Sequence, residues 1–242
     1  MLVLAVDTAT PAVTAGLVHL EQTGAGPIPE RVRTVTARVH VDARAHAEVL
    51  TPQILECLAE SGCARSDIDA VVAGVGPGPF TGLRVGMATA AAFGDALGIP
   101  VYGVCSLDAI AADARREPGA RAEKPGAGSD PDAAGLLVVT DARRREVYWA
   151  RYRDGLRVAG PAVDKPADVD PEAAAAIAGS ASHVDLFDLP VLPVESPSPH
   201  GLVTVAAPAL LAGAVPEPLV PLYLRRPDAV ERSYRTLDRT GA

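Results

Sequence analysis

Val71-Val-Ala-Gly-Val-Gly-Pro-Gly-Pro-Phe-Thr-Gly-Leu-Arg-Val-Gly-Met87 carries the end of one element, a turn and the start of another. Ala70 to Val75 is a short apolar run bounded by turn formers, which predicts a buried strand. Gly76-Pro77-Gly78-Pro79 stops that strand and turns the chain. From Phe80 an Ala-rich segment runs to Leu97 without a proline, so a helix is expected to follow at once. A glycine-rich turn leading from strand to helix points backbone N–H groups at an anion. The same residues equally describe a tight turn before a buried helix. The stretch is neither a Walker loop, which ends in Gly-Lys-Ser/Thr, nor a dinucleotide fingerprint with Gly-x-Gly-x-x-Gly spacing.

Within that helix Gly82, Gly86, Ala90 and Gly94 recur every four residues, with Ala88, Ala91, Ala92 and Ala96 between them. Residues four apart share a face, so one side is nearly bare backbone. Glycine inside a helix costs on the order of 1 kcal/mol against alanine. A stripe of them predicts that another element comes very close, either the protein's own sheet or a helix of a second subunit.

Outward from this block, Leu2 to Val6 is continuously apolar, as in a central strand covered on both faces, and meets Asp7. Val13 to Leu20 reads as a second strand. Val35, Ala37, Val39 and Val41 alternate with polar residues and predict a half-buried third. Residues 43–59 form a helical stripe of Ala47, Leu50, Ile54, Cys57 and Leu58 interrupted by Pro52. Either Thr51 caps the helix with Pro52 at its first position, or an earlier start is kinked there. Ile99 to Val104 and a helix from Ser106 complete a β-β-β-α-β-α-β-α order. The Gly-, Pro- and charge-rich 116–134 stretch reads as a flexible loop. Leu136 to Thr140 then opens a second β-β-β pattern, with Asp154-Gly155 as a hairpin turn and Asp141 where the first half has Asp7. Pro171 to Ala178 is ambiguous between helix and strand, and His200 to Gly213 reads as a helix. The division expected is a first lobe at 1–105, a smaller second lobe at 106–227 and a tail at 228–242.

The chain of 242 residues is 48% hydrophobic, enough for a packed core. Its net charge of −8 argues against a stand-alone nucleic-acid binder. Three cysteines, none in a Cys-x-x-Cys pair, fit reduced thiols in the cytoplasm. No signal peptide or membrane span is predicted. None of the five histidines pairs at i, i+4, so no helical zinc pair is present. Asp7 and Asp141, as strand-end carboxylates, are candidates for holding a magnesium-bound nucleotide, or are turn residues accepting backbone N–H bonds. His46 with Glu48 is a candidate catalytic pair, but the two lie two apart on a helix and point differently, which favours a surface or interface role. The basic runs Arg143-Arg-Arg145 and Arg225-Arg226 are either RNA-phosphate contacts or solvated turns, and aromatic residues make up only 4% of the chain.

Gly74-Val-Gly-Pro-Gly-Pro-Phe-Thr-Gly-Leu-Arg-Val-Gly86 with Gly98-Ile-Pro-Val-Tyr-Gly-Val104 resembles the TsaB (YeaZ) family. So do Val6-Asp-Thr-Ala-Thr10, His46-Ala-Glu-Val-Leu-Thr-Pro52, Asp141-Ala-Arg143 with Glu146-Val-Tyr148, and Pro221-Leu-Tyr-Leu-Arg225. The resemblance implies an actin-like (sugar kinase/Hsp70-type) α/β fold with two related lobes. It also implies a part in making threonylcarbamoyladenosine next to the tRNA anticodon. The partners it implies are a TsaD-type catalytic subunit and, with it, a TsaE-type ATPase, with a homodimer when the protein is alone. tRNA would be met only through that complex.

TsaD proteins carry a His-x-x-x-His metal pair after the strand that follows this block; Ser106 and Ile110 stand at those places here. Serine and isoleucine do not replace two imidazoles around a metal. The expectation is therefore a non-catalytic scaffold with no metal or cofactor. In TsaB-like proteins the first two helices form the dimer surface, which makes His46, Leu50, Ile54, Leu58, Phe80, Gly82, Leu83, Gly86 and Ala90 the candidate interface. On that reading Gly86→Leu or Leu50→Asp abolishes association and leaves the lobe folded. The alternatives are an actin-like ATPase or metallopeptidase-like enzyme acting in its own right and, less favoured by the charge, a direct tRNA-binding module.

Overall fold

In the computed structural model, which describes residues 1–23, 26–117, 135–172 and 174–225, the opening apolar run is β1 (Leu2–Asp7) at the centre of a five-stranded sheet. It pairs antiparallel with β2 (Ala12–Leu20), which pairs with the edge strand β3 (Val32–Val41). On its other side β1 runs parallel to β4 (Ala70–Gly74), and β4 parallel to β5 (Val101–Val104). The order is β3-β2-β1-β4-β5.

A continuous apolar strand needs cover on both faces. Leu2, Leu4 and Val6 meet Leu50, Ile54 and Leu58 of α1 (His46–Ser61) and Ala90 of α2 (Phe80–Leu97). Val3 and Ala5, pointing the other way, meet Leu202, Val203, Ala206 and Leu210 of α5 (Pro199–Leu211). A helix far along the chain thus closes the second face of the first sheet. It is held to α3 (Ser106–Ala114), where Asp113 accepts from the Ser198 backbone N–H (2.9 Å) and hydroxyl (2.7 Å).

The second sheet repeats the pattern with fewer strands. β6 (Gly135–Asp141) pairs antiparallel with β7 (Val147–Arg153), which pairs with β8 (Leu156–Asp164); β6 runs parallel to β9 (Ala174–Gly179). Asp7 and Asp141 end the first strand of each sheet, as the sequence predicts. Between β9 and α5 lies a single helical turn, α4 (Ala181–Val184).

Three expectations are refined. The helix carrying Pro52 starts at His46, so the early, interrupted start is the one adopted. The ambiguous alanine run is strand β9, because pairing with β6 outweighs alanine's helix propensity. β3 does not alternate cleanly: Thr36 is buried while Val39 and Val41 are 53% and 74% exposed. A bulge at Leu17/Val18 shifts its register on β2. The predicted loop lies mostly, and the tail entirely, outside the described residues.

After α5 the chain runs back across both sheets as an extended strap. The Tyr102 hydroxyl donates to the Ala214 carbonyl (2.8 Å) and the Leu222 N–H to the Val75 carbonyl (2.8 Å). Arg225 then reaches the β6–β7 turn, donating to the Ala142 carbonyl and pairing with Glu146 at 2.9 Å.

Candidate functional site

The turn after β1 is the junction where the elements meet. Asp7 is 1% exposed; its carboxylate accepts from the Ser106 hydroxyl (2.5 Å) and the Ala9 N–H (2.8 Å). Ser106 in turn accepts from the Gly76 N–H (3.3 Å), which belongs to the turn with a cis Gly76–Pro77 bond. Burial raises the Asp7 pKa to about 6, against the opposing pull of the Ser106 and Ala9 hydrogen bonds and of His46. A methyl at Gly74 would lie 1.7 Å from Asp7 Oδ2, so that position must be glycine for the carboxylate to sit there.

Thr8 fastens the same turn to α2. Its hydroxyl donates to the Gly82 carbonyl (2.7 Å) and accepts from the Gly86 N–H (3.0 Å), the two ends of one helical rung. Cβ atoms built at Gly82 and Gly86 would lie 2.6 Å from Thr8 O and 2.4 Å from Thr8 Oγ1. The element that the glycine stripe admits is therefore the protein's own β1–β2 turn. Gly94 faces Val101 of β5. His46 fastens α1 in the same way, its Nε2 2.9 Å from the Thr10 carbonyl.

These contacts settle where the interface candidates lie. His46, Leu50, Ile54, Leu58, Gly82, Leu83, Gly86 and Ala90 are all buried within the chain's own fold, and only Phe80, 43% exposed, reaches the surface. The sequence stripe marks the inner faces of α1 and α2, because the largest apolar side chains of an amphipathic helix go to its own core. The outer ridges carry Ala47, Thr51, Leu55 and Ala59 on α1, and Thr81, Ala88, Ala92 and Ala96 on α2.

The pair Asp7 and Asp141 is not assembled into one site. Asp7 is sealed beneath Ser106 and the 74–76 backbone, whereas Asp141 lines an open cavity of about 330 Å³ at the mouth between the sheets. The Ser106 and Ile110 positions are likewise committed: Ser106 serves Asp7, and Ile110 is fully buried among Leu136, Val138 and Tyr148. Among the described residues no group of three or more His, Cys, Asp or Glu is placed to hold a metal.

Gly78 and Phe80 form one wall of the cavity, and Asp141, Arg143, Arg144, Tyr223 and Arg225 the others. Sequence reading did not connect Phe80 with Tyr223, whose rings stack at 4.9 Å. Arg84 braces them, its guanidinium 3.7 Å from the Phe80 centroid and its Nε donating to the Tyr223 hydroxyl (3.1 Å). Opposite, Arg143, Arg144 and Arg145 form the β6–β7 turn with φ of 64°, 54° and 63°. Left-handed backbone costs a non-glycine residue about 1 kcal/mol or more, so three arginines in a row is a strained arrangement. Arg226 lies outside the described residues.

Two sheets of related topology, each with an aspartate at the end of its first strand, define an actin-like α/β protein, one whose aspartate in the first turn is spent inside the fold. The comparisons agree. A family model described as TsaD, tRNA N6-adenosine threonylcarbamoyltransferase, matches residues 39–225. An uncharacterized protein of Mycobacterium tuberculosis is 55% identical over 94% of this chain and 93% of its own length. The tRNA threonylcarbamoyladenosine biosynthesis protein TsaB of Escherichia coli is 34% identical over 63% of this chain and 55% of its own. The solved structure of YeaZ from Pseudomonas aeruginosa superposes with a TM-score of 0.70 at 29% identity, covering 92% of this chain and 99% of that one. The chain belongs to the TsaD family, on its TsaB (YeaZ) side.

Proposed function

We propose that this protein is a non-catalytic subunit in the synthesis of threonylcarbamoyladenosine in tRNA. It acts by binding a TsaD-type catalytic subunit through the outer faces of α1 and α2, with a TsaE-type ATPase in the larger assembly. Alone, it forms a homodimer through the same faces. The observation that carries this reading is the chemistry of those faces. Two neighbouring helices on one side of the first sheet each present one uncharged, mostly small ridge to solvent, Ala47, Thr51, Leu55 and Ala59 on α1 and Thr81, Ala88, Ala92 and Ala96 on α2, flanked by the exposed Glu48, Glu56, Glu60, Arg84 and Asp95. Alanine ridges let a second helix pair approach closely and bury area with little side-chain ordering. Kinship with the E. coli TsaB protein supports the pathway.

An ATPase built on Asp7 and Asp141 has less support, since Asp7 has both carboxylate oxygens engaged in protein hydrogen bonds. The described residues contain no helix long and apolar enough to cross a membrane.

The test is association measured by size-exclusion chromatography with light scattering, mixed with the same organism's TsaD-type protein, on Leu55→Asp and Ala88→Arg. Both substitutions lie on exposed ridges and are expected to leave circular dichroism unchanged. They are expected to weaken the complex at least 10-fold, with a matching fall in threonylcarbamoyl transfer by the pair. Complexes of unchanged stability with both variants would move the interface off these helices.

A further inference from the structure

The edges of the two sheets are not protected alike. Beyond β5 runs the strap, with Tyr102 bonded to Ala214 and Leu219 lying against Gly103. The outer edge of β9 is taken by residues 190–194: the Ile177 N–H donates to the Pro190 carbonyl (2.9 Å), the Leu192 N–H to the Ile177 carbonyl and the Gly179 N–H to the Val194 carbonyl (both 2.8 Å). β8 is broken by Gly160-Pro161, and proline has no N–H to offer. β3 has none of these devices. It is ten residues long, the longest strand described, and holds no proline, glycine or lysine. Its second half is the open part. The Thr36 carbonyl points at β2, 2.6 Å from where a Gly16 Cβ would stand, so the backbone groups of Ala37, Val39 and Val41 point away from β2. Among the described residues no backbone group meets them, and the Ala37 carbonyl accepts only from the Arg38 guanidinium (3.0 Å). The three side chains share one face of the sheet and are exposed, Val39 at 53% and Val41 at 74%. On the other face Arg38 is drawn back to Glu60 and to Glu56 (3.5 Å) on α1, one guanidinium between two carboxylates.

We infer that β3 pairs edge to edge, antiparallel, with β3 of a second copy of this chain, about a two-fold axis at Val39. A second copy is the occupant because the edge is complementary to itself in that register. Ala37, Val39 and Val41 face Val41, Val39 and Ala37 of the other copy, so the exposed valines of both leave water together. His40 of the second copy comes opposite Arg38, where the two glutamates outnumber the guanidinium, and no bare like-charge pair forms. About six backbone hydrogen bonds join the copies, once Arg38 lets go of the Ala37 carbonyl and keeps its glutamates. The register stays clear of the bulge opposite Leu17/Val18. An interface this narrow belongs to the weak end of specific contacts, so the dimer is a reversible one. The pairing uses none of the α1–α2 ridge residues and is independent of the partner-binding reading.

The experiment is sedimentation velocity on the full chain carrying Leu55→Asp and Ala88→Arg, which remove association through the α1–α2 ridges, from about 10 μM to about 1 mM. A dimer fraction that rises with concentration is expected. Amide exchange at residues 37–41, read by mass spectrometry, is expected to slow about twofold or more at the top of that range. Val39→Lys, added to this background, places at an exposed edge position the residue that natural edges use as a guard. It is expected to weaken the dimer at least about 10-fold with circular dichroism unchanged. Val215→Lys, which removes a 91% exposed valine of the strap, is expected to change it less than about twofold. The inference is overturned if the chain stays monomeric to about 1 mM, or if a dimer forms while exchange at 37–41 is unchanged. It is equally overturned if the Val39→Lys variant dimerises as its background does.

Discussion

Gly86→Leu is expected to yield no folded protein, judged by loss of soluble expression and of the cooperative denaturation seen in the parent. The smallest side chain already places a carbon 2.4 Å from Thr8 Oγ1, and that hydroxyl has no freedom to retreat. It is bonded to Gly82 O and Gly86 N at the same time. Separating α2 from the turn would break both bonds and open the packing of Ala90 against β1. Overpacking of this kind costs several kcal/mol, a large share of the roughly 5–15 kcal/mol that holds a domain together. Leu50→Asp is expected to fail for a different reason, because it buries a charge at a position only 1% exposed. Both outcomes reverse the sequence-based expectation that these changes break association in an intact lobe. A compensating pair gives the sharper measurement. Thr8→Ala removes the atom at 2.4 Å and leaves its Cβ at an ordinary 3.5 Å. Thr8→Ala with Gly86→Ala should therefore be more stable in urea than Gly86→Ala alone. If the double variant is no better, the Thr8 contact is not what demands glycine.

Asp7→Asn is expected to stabilise the protein at pH 8. The folded carboxyl titrates near 6 and the unfolded one near 3.8, mainly because burial disfavours its charge. A group whose folded pKa is raised gives stability that is complete below the unfolded pKa and lost as pH rises through the folded one. At about 1.4 kcal/mol per pKa unit, the penalty above pH 6 is roughly 3 kcal/mol. Asparagine carries no such charge, and the Ser106 hydroxyl can accept from its amide as readily as it now donates. The advantage of Asp7→Asn over the parent should be largest at pH 7–8 and shrink as pH falls from about 6 to 4, measured by urea denaturation at each pH. An advantage independent of pH would mean that Asp7 does not titrate in that window.

The strand–turn–helix at 71–87 was legible because its glycines and prolines punctuate it and its apolar run is short. The repeated β-β-β pattern, and so two similar halves, was legible from Asp7 and Asp141 at matching strand ends, whereas the actin-like fold came from the resemblance to the TsaB family. What a glycine stripe touches was not legible. Period four reports that something comes close, and a neighbouring turn and a second subunit impose the same requirement. The contact turned out to be Thr8, 74 and 78 positions away in sequence from Gly82 and Gly86. Leu50, Ile54 and Leu58 illustrate the same limit, since an apolar stripe looks alike whether it faces its own sheet or a partner. The Phe80–Tyr223 stack joins residues brought together only when the strap crosses the sheets, and no local pattern announces it. The strained arginine segment was legible as a turn, but left-handed backbone at three arginines runs against residue preference and was not predictable from it.

The lidding of the first sheet by α5 dictates an order of events at the ribosome. All five strands of that sheet emerge by residue 104, yet the helix that covers Val3, Ala5, Val18 and Val72 begins only at residue 199. While the intervening residues are translated, one face of a nearly finished sheet waits uncovered in water. Parallel pairing across such distances is slow to form and exposed to aggregation meanwhile. The nascent chain is thus a natural client for holding chaperones, and a nick or stop anywhere between β5 and α5 leaves a sticky half-molecule rather than a working lobe.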